Sequence, residues 1–405
     1  MRLRTFQGLR PAANCASDLC SPPYDVIDTD GAKAMAEGNP KSFLHVIKPE
    51  IDLADGISLY DDSVYAKAQE NFERFQAEGW LVRDEKPSLY VYRQKVGDHA
   101  QHGIVGVCHV GDYENDIIKK HEKTLQTKED DRTRHVKTLR ANAGPVFLTF
   151  RDDAEVAKQI EATVGGTPVV DLMAEDGVQH TVWPISNPEA VTTRFDAIPC
   201  SYVADGHHRS ASAARVGAEL AAANPDHTGE EDYNWYLCVL FPADELKVLA
   251  YNRLVADLNG QDKAAYLQAV EAVFDVNEGG PAMPANKGNI SMFLDGAWYT
   301  LQAKAVDQND PVASLDVSIL QHQLLTPILG IDDPRTNSRI SFKGGHGSTD
   351  FLVAQVNAGK AAVAFSLYPT SIHDMMDVAD ADKIMPPKST WFEPKLRSGM
   401  FVHTF

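Results

Sequence analysis

Hydrophobic and polar residues alternate along this chain in patterns that predict both strands and helices. Val64, Ala68, Phe72 and Phe75 have the spacing of one buried helix face, and Gly79 marks the end of that helix. Runs of β-prone residues that predict strands lie at 43–47, 88–95, 103–110, 145–150, 179–185, 202–204, 235–241 and 247–251. Further helices are predicted at 154–164, 189–195, 262–274 and 315–329. Strands separated by helices predict a mixed α/β or α+β fold.

The loops between these elements predict how the chain is divided. The polar stretch 97–102 separates two strands as in a hairpin, and the last two strands of the series are expected to be adjacent. Residues 279–287 are rich in proline and glycine, which makes them the best linker candidate, with a domain boundary nearby.

The side chains best suited to ligand binding or catalysis lie at one junction between a strand and a helix. A short β-prone run stops at an Asp-Gly turn, and two histidines and an arginine then fall in the first turn of an alanine-rich helix. The first amide N–H groups of a helix lack partners and the macrodipole places roughly +0.5 of a charge there, which favours phosphate. In the alternative interpretation the aspartate is an ordinary N-cap and the histidines are exposed without a ligand. The residues of this junction are Asp205, Gly206, His207, His208 and Arg209.

Composition narrows the possible partners. The net charge of −19, from 57 acidic and 38 basic residues, argues against nucleic acid or an anionic membrane as a partner. Five scattered cysteines form neither a disulfide framework nor a zinc pair. No apolar run has the length of a signal peptide or of a membrane span, so we expect a cytoplasmic protein.

Three other segments carry candidate ligands. Ser21–Ile27 contains two prolines that present Tyr24 and Asp25 on a stiff loop. Residues 119–135 mix lysines and an arginine with carboxylates, a composition that suits polyphosphate and a divalent cation or, alternatively, a solvated helix face. Met385–Thr390 has the Lys-Ser-Thr of a phosphate loop without its glycines, and it is equally compatible with a rigid loop that packs aromatic side chains.

Five motifs in order resemble the bacterial family of unknown function called DUF1015. The motifs are Ser21–Ile27, Lys120–Thr124 with Lys128 and Asp131–Arg132, Ala204–Arg209, Tyr251–Arg253, and Met385–Thr390. The Asp-Gly-His-His-Arg element also resembles the phosphate-binding corner of the ParB/sulfiredoxin superfamily, some members of which are free-serine kinases. The resemblance implies an α+β fold with a ParB/sulfiredoxin-like core in region 1–240, interrupted by an insertion at about 85–190 and followed by a mixed α/β region 241–405. Because His207 stands where sulfiredoxin has its catalytic cysteine, peroxiredoxin repair is not implied.

The resemblance implies a nucleotide-dependent phosphotransferase that acts on a small hydroxylated metabolite such as serine. A phosphomonoester hydrolase and a non-catalytic nucleotide-sensing regulator remain as alternatives, and a homodimer is a candidate assembly. The expected cofactors are Mg²⁺, held by Glu122 and Asp131, and ATP or ADP. The candidate catalytic residues are Glu122, Asp205 and His207. The candidate phosphate ligands are Gly206, His208, Arg209, Lys120, His121, Arg132, Lys388, Ser389 and Thr390. The candidate substrate ligands are Tyr24, Asp25, Asn252 and Arg253.

Overall fold

A computed structural model describes residues 1–405 and shows a mixed α/β protein. The strands are β1 (Leu3–Arg4), β2 (Leu9–Pro11), β3 (Leu81–Arg83), β4 (Tyr90–Val96), β5 (His99–His109), β6 (Ile118–Lys119), β7 (Ala141–Asn142), β8 (Val146–Phe150), β9 (Val170–Met173), β10 (Gln179–Pro184), β11 (Ser201–Asp205), β12 (Trp235–Pro242), β13 (Val248–Leu249), β14 (Tyr251–Val255), β15 (Phe274–Glu278), β16 (Asn289–Leu294), β17 (Ala297–Ala303), β18 (Ile340–Gly344), β19 (Val363–Leu367), β20 (Trp391–Phe392) and β21 (His403–Thr404).

The helices vary from single turns to segments of 17 residues. They are α1 (Ala16–Leu19), α2 (Thr29–Ala36), α3 (Leu44–Ile47), α4 (Asp62–Ala77), α5 (Val110–Glu114), α6 (Gln126–Leu139), α7 (Ala154–Val164), α8 (Pro188–Asp196), α9 (His207–Ala223), α10 (Lys263–Val273), α11 (Asp316–Leu320), α12 (Ser348–Asn357) and α13 (Ile372–Asp380). None of them combines the length and the apolar character that a membrane crossing requires.

The chain forms two compact units. The first unit comprises Met1–Lys120, Thr124–Leu246 and Pro394–Phe405, and the second comprises His121–Lys123 and Lys247–Glu393. The last twelve residues therefore belong to the same unit as the amino terminus. The division at residue 240 and the insertion at about 85–190 stay predictions.

The first unit is built on a nine-stranded mixed sheet. Its order is β6-β11-β8-β12-β5-β4-β10-β9, with β1 paired to β5. Strand β8 lies between β11 and β12, antiparallel to the first and parallel to the second. The fully buried side chains of β8 and β12 occupy the centre of the sheet, as expected for strands that are covered on both faces. The sheet therefore holds the end of β11, where α9 begins, next to the start of β8.

The predicted strand at 43–47 is wrong, because this segment forms helix α3. A short apolar run does not by its periodicity distinguish a strand from a buried helix. Here Leu44, Val46 and Ile47 are all buried, in one apolar cluster with Phe72 and Phe75 of α4. Packing against the long helix decides the conformation.

The second unit contains a six-stranded sheet with the order β15-β17-β16-β19-β14-β18. Residues 279–287 connect β15 to β16 within this sheet, so the predicted linker and nearby boundary are wrong. The predicted adjacency of the strands near 235–241 and 247–251 is also wrong, since β12 pairs with β5 and β8 whereas β13 pairs with β20. The predicted helix at 315–329 is regular only in α11 and continues as a π-helical turn, Gln321–Leu325.

Candidate functional site

The strand-to-helix junction exists as predicted, but its cap is different. Strand β11 ends at Asp205, and Gly206 is the residue that precedes α9, with a φ of +101°. A β-carbon at this position would lie 3.1 Å from Nε of Arg209, so glycine is required both by the backbone angle and by the close side chain. The interpretation of Asp205 as the N-cap is wrong, because no side chain caps α9.

The Arg209 side chain is buried rather than displayed on the helix surface. Only 12% of it is exposed, and its Nη1 donates a hydrogen bond to the carbonyl oxygen of Pro145, just before β8. Its Nη2 lies 3.6 Å from an Asp205 carboxylate oxygen and 3.9 Å from one of Asp25. Its Nε makes no hydrogen bond. The guanidinium is thus held in place with one donor still available.

Lys395 forms an ion pair with Asp205 that sequence reasoning missed. Its Nζ lies 2.7 Å from Oδ2 of Asp205, and its carbonyl oxygen accepts a hydrogen bond from Gln94 at 2.9 Å. Burial by itself raises the pKa of the Asp205 carboxyl, but Lys395 and Arg209 outweigh that effect and hold the pKa well below its usual value. Asp205 is therefore an ionised carboxylate at neutral pH.

The two junction histidines have different surroundings. His207 is buried, and burial is the main cause that lowers its pKa to about 4, with further lowering by His208, Arg209 and Lys120 against the opposing effect of Asp205. Its imidazole is consequently neutral at pH 7. His208 accepts a hydrogen bond from the backbone N–H of Leu125 at 3.0 Å, which ties α9 to the start of α6.

Lys120 lies within range to lower the pKa of His207. Its Nζ pairs with Asp116 at 2.7 Å and donates to the carbonyl oxygen of Tyr113 at 3.0 Å. The ammonium group therefore already has a local carboxylate and a local carbonyl as partners.

Helix α6 supplies a second guanidinium. Arg132 lies 4.2 Å from the ring centroid of Tyr24, and its Nε and Nη2 both reach Oδ2 of Asp131, at 2.8 and 2.7 Å. The other Asp131 oxygen accepts a hydrogen bond from the Tyr65 hydroxyl at 2.8 Å. Because both carboxylate oxygens are engaged, Asp131 does not fit the predicted role of Mg²⁺ ligand. No group of three or more His, Cys, Asp or Glu side chains is arranged to hold a metal ion.

Both arginines line one cavity of about 40 Å³ inside the first unit. Tyr24, Asn142 and Tyr236 also line it, and no aspartate or glutamate does. The Tyr24 hydroxyl stays protonated at neutral pH, since burial above all raises its pKa to about 12. His135 at the wall is neutral, because burial and then Arg132 lower its pKa to about 4. The cavity is therefore bordered by two fixed positive charges and neutral groups.

The remaining predicted site residues lie in the second unit. Arg253 is 3% exposed, burial lowers its pKa to about 10, and it donates to the carbonyl oxygen of Pro387 at 3.3 Å. Asn252 donates to Ser348 and accepts from the backbone of Leu367, both at 3.0 Å. Neither side chain is on a surface that displays it to a ligand.

The loop that carries Lys388 is held mainly by its own unit. Ser389 donates to Pro386 at 2.6 Å and its carbonyl oxygen accepts from Thr370 at 3.1 Å. The Lys388 ammonium lies 5.5 Å from the ring centroid of Tyr251. These contacts agree with the alternative of a rigid loop, and phosphate binding by Lys388, Ser389 and Thr390 stays a prediction.

Residues 121–123 belong to the second unit although Lys120 does not. His121 is buried, and its carbonyl oxygen accepts from the backbone N–H of Met385 at 2.8 Å. Glu122 is close enough to Arg335 to raise the pKa of that guanidinium slightly, after the larger effects of Asp333. The catalytic role of Glu122 stays a prediction.

The glycine-rich run near residue 344 has a packing explanation. A β-carbon on Gly344 would lie 2.4 Å from the ring of Trp391, so the strand can pass the indole only with glycine at this position. No phosphate-binding role is needed to explain this motif.

Sequence reasoning missed Lys395, Asn142 and Tyr236. Nothing local distinguishes them, because Asn142 and Tyr236 belong to ordinary strands and Lys395 belongs to an ordinary carboxy-terminal segment. Their importance comes from contacts with residues far away in sequence.

Solved structures with some similarity include a conserved hypothetical protein from Pyrococcus furiosus, with 14% identity over 72% of this chain and 92% of that chain and a TM-score of 0.36. A variant of a free serine kinase in complex with AMP has 13% identity over 76% of this chain and 88% of that chain, with a TM-score of 0.38. SbnI from Staphylococcus aureus, truncated at its carboxy terminus, has 10% identity over 71% and 82%, with a TM-score of 0.39. These scores are too low to assign a fold or an activity.

No curated protein matches the sequence. A family model described as "Protein of unknown function (DUF1015)" matches residues 3–318, which is most of the chain and includes every motif of the first unit's site except the segment with Lys395. The chain therefore belongs to the DUF1015 family.

Proposed function

We propose that the first unit binds a phosphate group between Arg132 and Arg209 and that the protein is a nucleotide-dependent phosphotransferase. The observation that carries the proposal is that both guanidiniums line one cavity from which carboxylates are absent. Arginine has the donor geometry that suits phosphate oxygens. The turn into α9 corresponds in this proposal to the phosphate-binding corner of a ParB/sulfiredoxin-like core, and the acceptor is a small hydroxylated metabolite such as serine.

Asp25 is the best candidate to take the proton of the acceptor hydroxyl. It lies 3.9 Å from Arg209, beside the phosphate site, and a third of its side chain is exposed. Asp205 is less suited because Lys395 holds it as a weakly basic carboxylate, and His207 is less suited because its pKa of about 4 makes it a poor base. A base is most effective when its pKa is near the working pH, so these two residues are better assigned to positioning.

No step of the proposed phosphoryl transfer is assigned to Mg²⁺. Phosphoryl transfer usually employs a divalent cation between the phosphates, held by one or two carboxylates. Asp131 is committed to Arg132 and Tyr65 and does not fit as one of those ligands.

The binding part of the proposal is tested by Arg132→Met with Arg134→Met as the matched control. Both arginines are on α6, both lie about 4 Å above a tyrosine ring and both pair with an aspartate, but only Arg132 lines the cavity. Arg132→Met should weaken AMP and ADP binding by about 1.5–3 kcal/mol, the range for a hydrogen bond to a charged group. Arg134→Met should leave the affinity for AMP and ADP, measured by calorimetry, unchanged. Equal affinities of both variants and the wild type would contradict the proposal.

The catalytic part is tested by turnover. A phosphotransferase consumes nucleotide only when an acceptor is present, a hydrolase needs none, and a sensor binds without consuming. Asp25→Asn should lower turnover much more than nucleotide affinity, since its contribution arises in the transition state. Glu122→Gln, measured in parallel, decides whether the other predicted base contributes.

A further inference from the structure

Three buried polar atoms without partners line the same small cavity. They are Nε of Arg209, Oδ1 of Asn142 and the hydroxyl oxygen of Tyr236, none of which has a hydrogen bond of ordinary geometry, although the Ser210 side chain lies close to the Tyr236 hydroxyl. Asn142 is 7% exposed and Tyr236 is 1% exposed. Buried polar groups in folded proteins are nearly always hydrogen-bonded, so three unpaired ones around one cavity indicate a missing polar occupant.

The groups that line the cavity indicate the sign of the charge on that occupant. Arg209 and Tyr236 present N–H and O–H donors, and the Arg132 guanidinium lines the same space. The carboxylates that pair with these arginines, on Asp25, Asp131 and Asp205, are not part of the wall. Donors and fixed positive charge facing a cavity without carboxylates favour an anion over a cation.

The volume limits the size of the occupant. A buried water needs about 10–15 Å³ of cavity volume. The cavity of about 40 Å³ therefore holds on the order of three waters or one small tetrahedral oxyanion. A nucleoside does not fit in this space. Any larger ligand must leave its organic part outside the cavity.

We propose that this cavity is a subsite for a terminal phosphoryl group or free phosphate, in which Tyr236 donates to the phosphate beside Arg209 and Oδ1 of Asn142 accepts from a protonated phosphate oxygen. This inference rests on the proposed function in taking phosphate as the oxyanion. It adds that a phosphomonoester is accepted and an internal phosphodiester is rejected, because a diester carries organic groups on two sides of the phosphorus.

The experiment measures binding of inorganic phosphate, AMP and cyclic AMP to the full chain by calorimetry and thermal shift. Tyr236→Phe should weaken phosphate and AMP binding about tenfold or more, as expected for one hydrogen bond to a charged group. Tyr266→Phe is the matched control, since it removes another buried hydroxyl, one that contacts Met292 in the second unit, and it should leave both affinities unchanged. Cyclic AMP should bind at least tenfold more weakly than AMP.

Asn142→Asp gives an independent readout. The new carboxylate keeps the shape of asparagine and places an anion in the wall that both arginines line, so it should abolish phosphate binding and raise the melting temperature of the ligand-free protein. If this variant does not fold, phosphate and AMP binding by Tyr236→Phe provides the test of the subsite.

The outcomes separate this inference from the proposed function. AMP binding that depends on Arg132 but not on Asn142 or Tyr236 would overturn the subsite and leave the proposed function intact. Cyclic AMP binding as tight as AMP would likewise overturn it. Absence of binding by any phosphorylated probe, together with an unchanged melting temperature for Asn142→Asp, would overturn both.

Discussion

At the scale of single residues, the backbone at Gly206 determines where Arg209 lies. The positive φ turns the chain from β11 into α9 within one residue, and the absence of a side chain leaves room for Arg209, whose Nε would lie 3.1 Å from a β-carbon at this position. Arg209 is consequently a structural residue as well as a candidate ligand, since its donor satisfies the carbonyl oxygen of Pro145. Arg209 thus lies largely inside the protein although it belongs to the first turn of α9.

Gly206→Ala should therefore destabilise the protein in two ways, through the positive φ and through the contact with Arg209. Gly229 provides a control for the first of these effects. Gly229 also has a positive φ, +95°, but a β-carbon there meets no atom within 4 Å. Gly229→Ala should cost only the backbone strain, about 1–2 kcal/mol. Gly206→Ala should cost more in the free energy of unfolding and should also weaken phosphate binding, because Arg209 must move. Equal destabilisation of the two variants in urea titrations, with unchanged phosphate binding, would contradict this account.

At the scale of elements, the last segment of the chain, Pro394–Phe405, completes the first unit. Ser398 pairs with Ser21, Val402 with Leu9, and β21 with β7, while Met400, Phe401 and Val402 are buried. These contacts fix the segment on both sides of the cavity residues. They also deliver Lys395 to Asp205 across 190 positions of sequence.

A double-mutant cycle on Lys395→Met and Asp205→Asn should measure the strength of this pair. We expect a coupling of about 1.5–3 kcal/mol at pH 7, the range for a hydrogen bond to a charged group. Since the folded-state pKa of Asp205 is depressed, its stabilisation is present above the unfolded pKa of about 4 and is lost as pH falls through the folded value. The coupling energy should therefore decrease in acid. A coupling energy below about 0.3 kcal/mol at pH 7 would show that Lys395 does not stabilise the fold through Asp205.

At the scale of the whole molecule, the two units contain carboxylates with opposite pH behaviour. In the second unit, burial raises the pKa of Asp316 from 3.8 to about 6, against the opposing effects of its hydrogen bond from Gly288 and the nearby Lys287. The folded state then binds more protons than the unfolded state between these two values. Ionised Asp316 thus destabilises its unit as pH rises from 4 through 6.

Asp316→Asn should raise the stability of the second unit at pH 8 by up to about 3 kcal/mol, the equivalent of the pKa shift, and should change little at pH 4. Asparagine keeps the oxygen that accepts from Gly288, so packing is preserved. Asp374 is a matched control, because Lys287 and Ser371 outweigh burial and lower its pKa. Asp374→Asn should destabilise the unit at pH 8, and melting curves at both pH values that show the same sign for both variants would refute the assignment.

Much of the local structure could be predicted from the sequence. Helix α7 has the predicted bounds because Asp153 caps it and Gly165 follows its last turn, and the hairpin of β4 and β5 and the junction of β11 with α9 also form as expected. The family is confirmed as well, since its motifs are contiguous stretches of sequence. In each case the determining interactions are between residues close together along the chain.

The composition of the candidate site was decided by the tertiary structure. The sequence by itself marked Tyr24, Asp25, Arg132 and Arg209 as chemically unusual, but it did not indicate which of them face one cavity. That depends on β8 lying between β11 and β12 and on the carboxy-terminal segment returning to the first unit. Strand order and burial arise from contacts between distant residues, which hydrophobic periodicity and capping signals do not encode. The same reason explains why Asn142, Tyr236 and Lys395 are recognisable only in the folded chain.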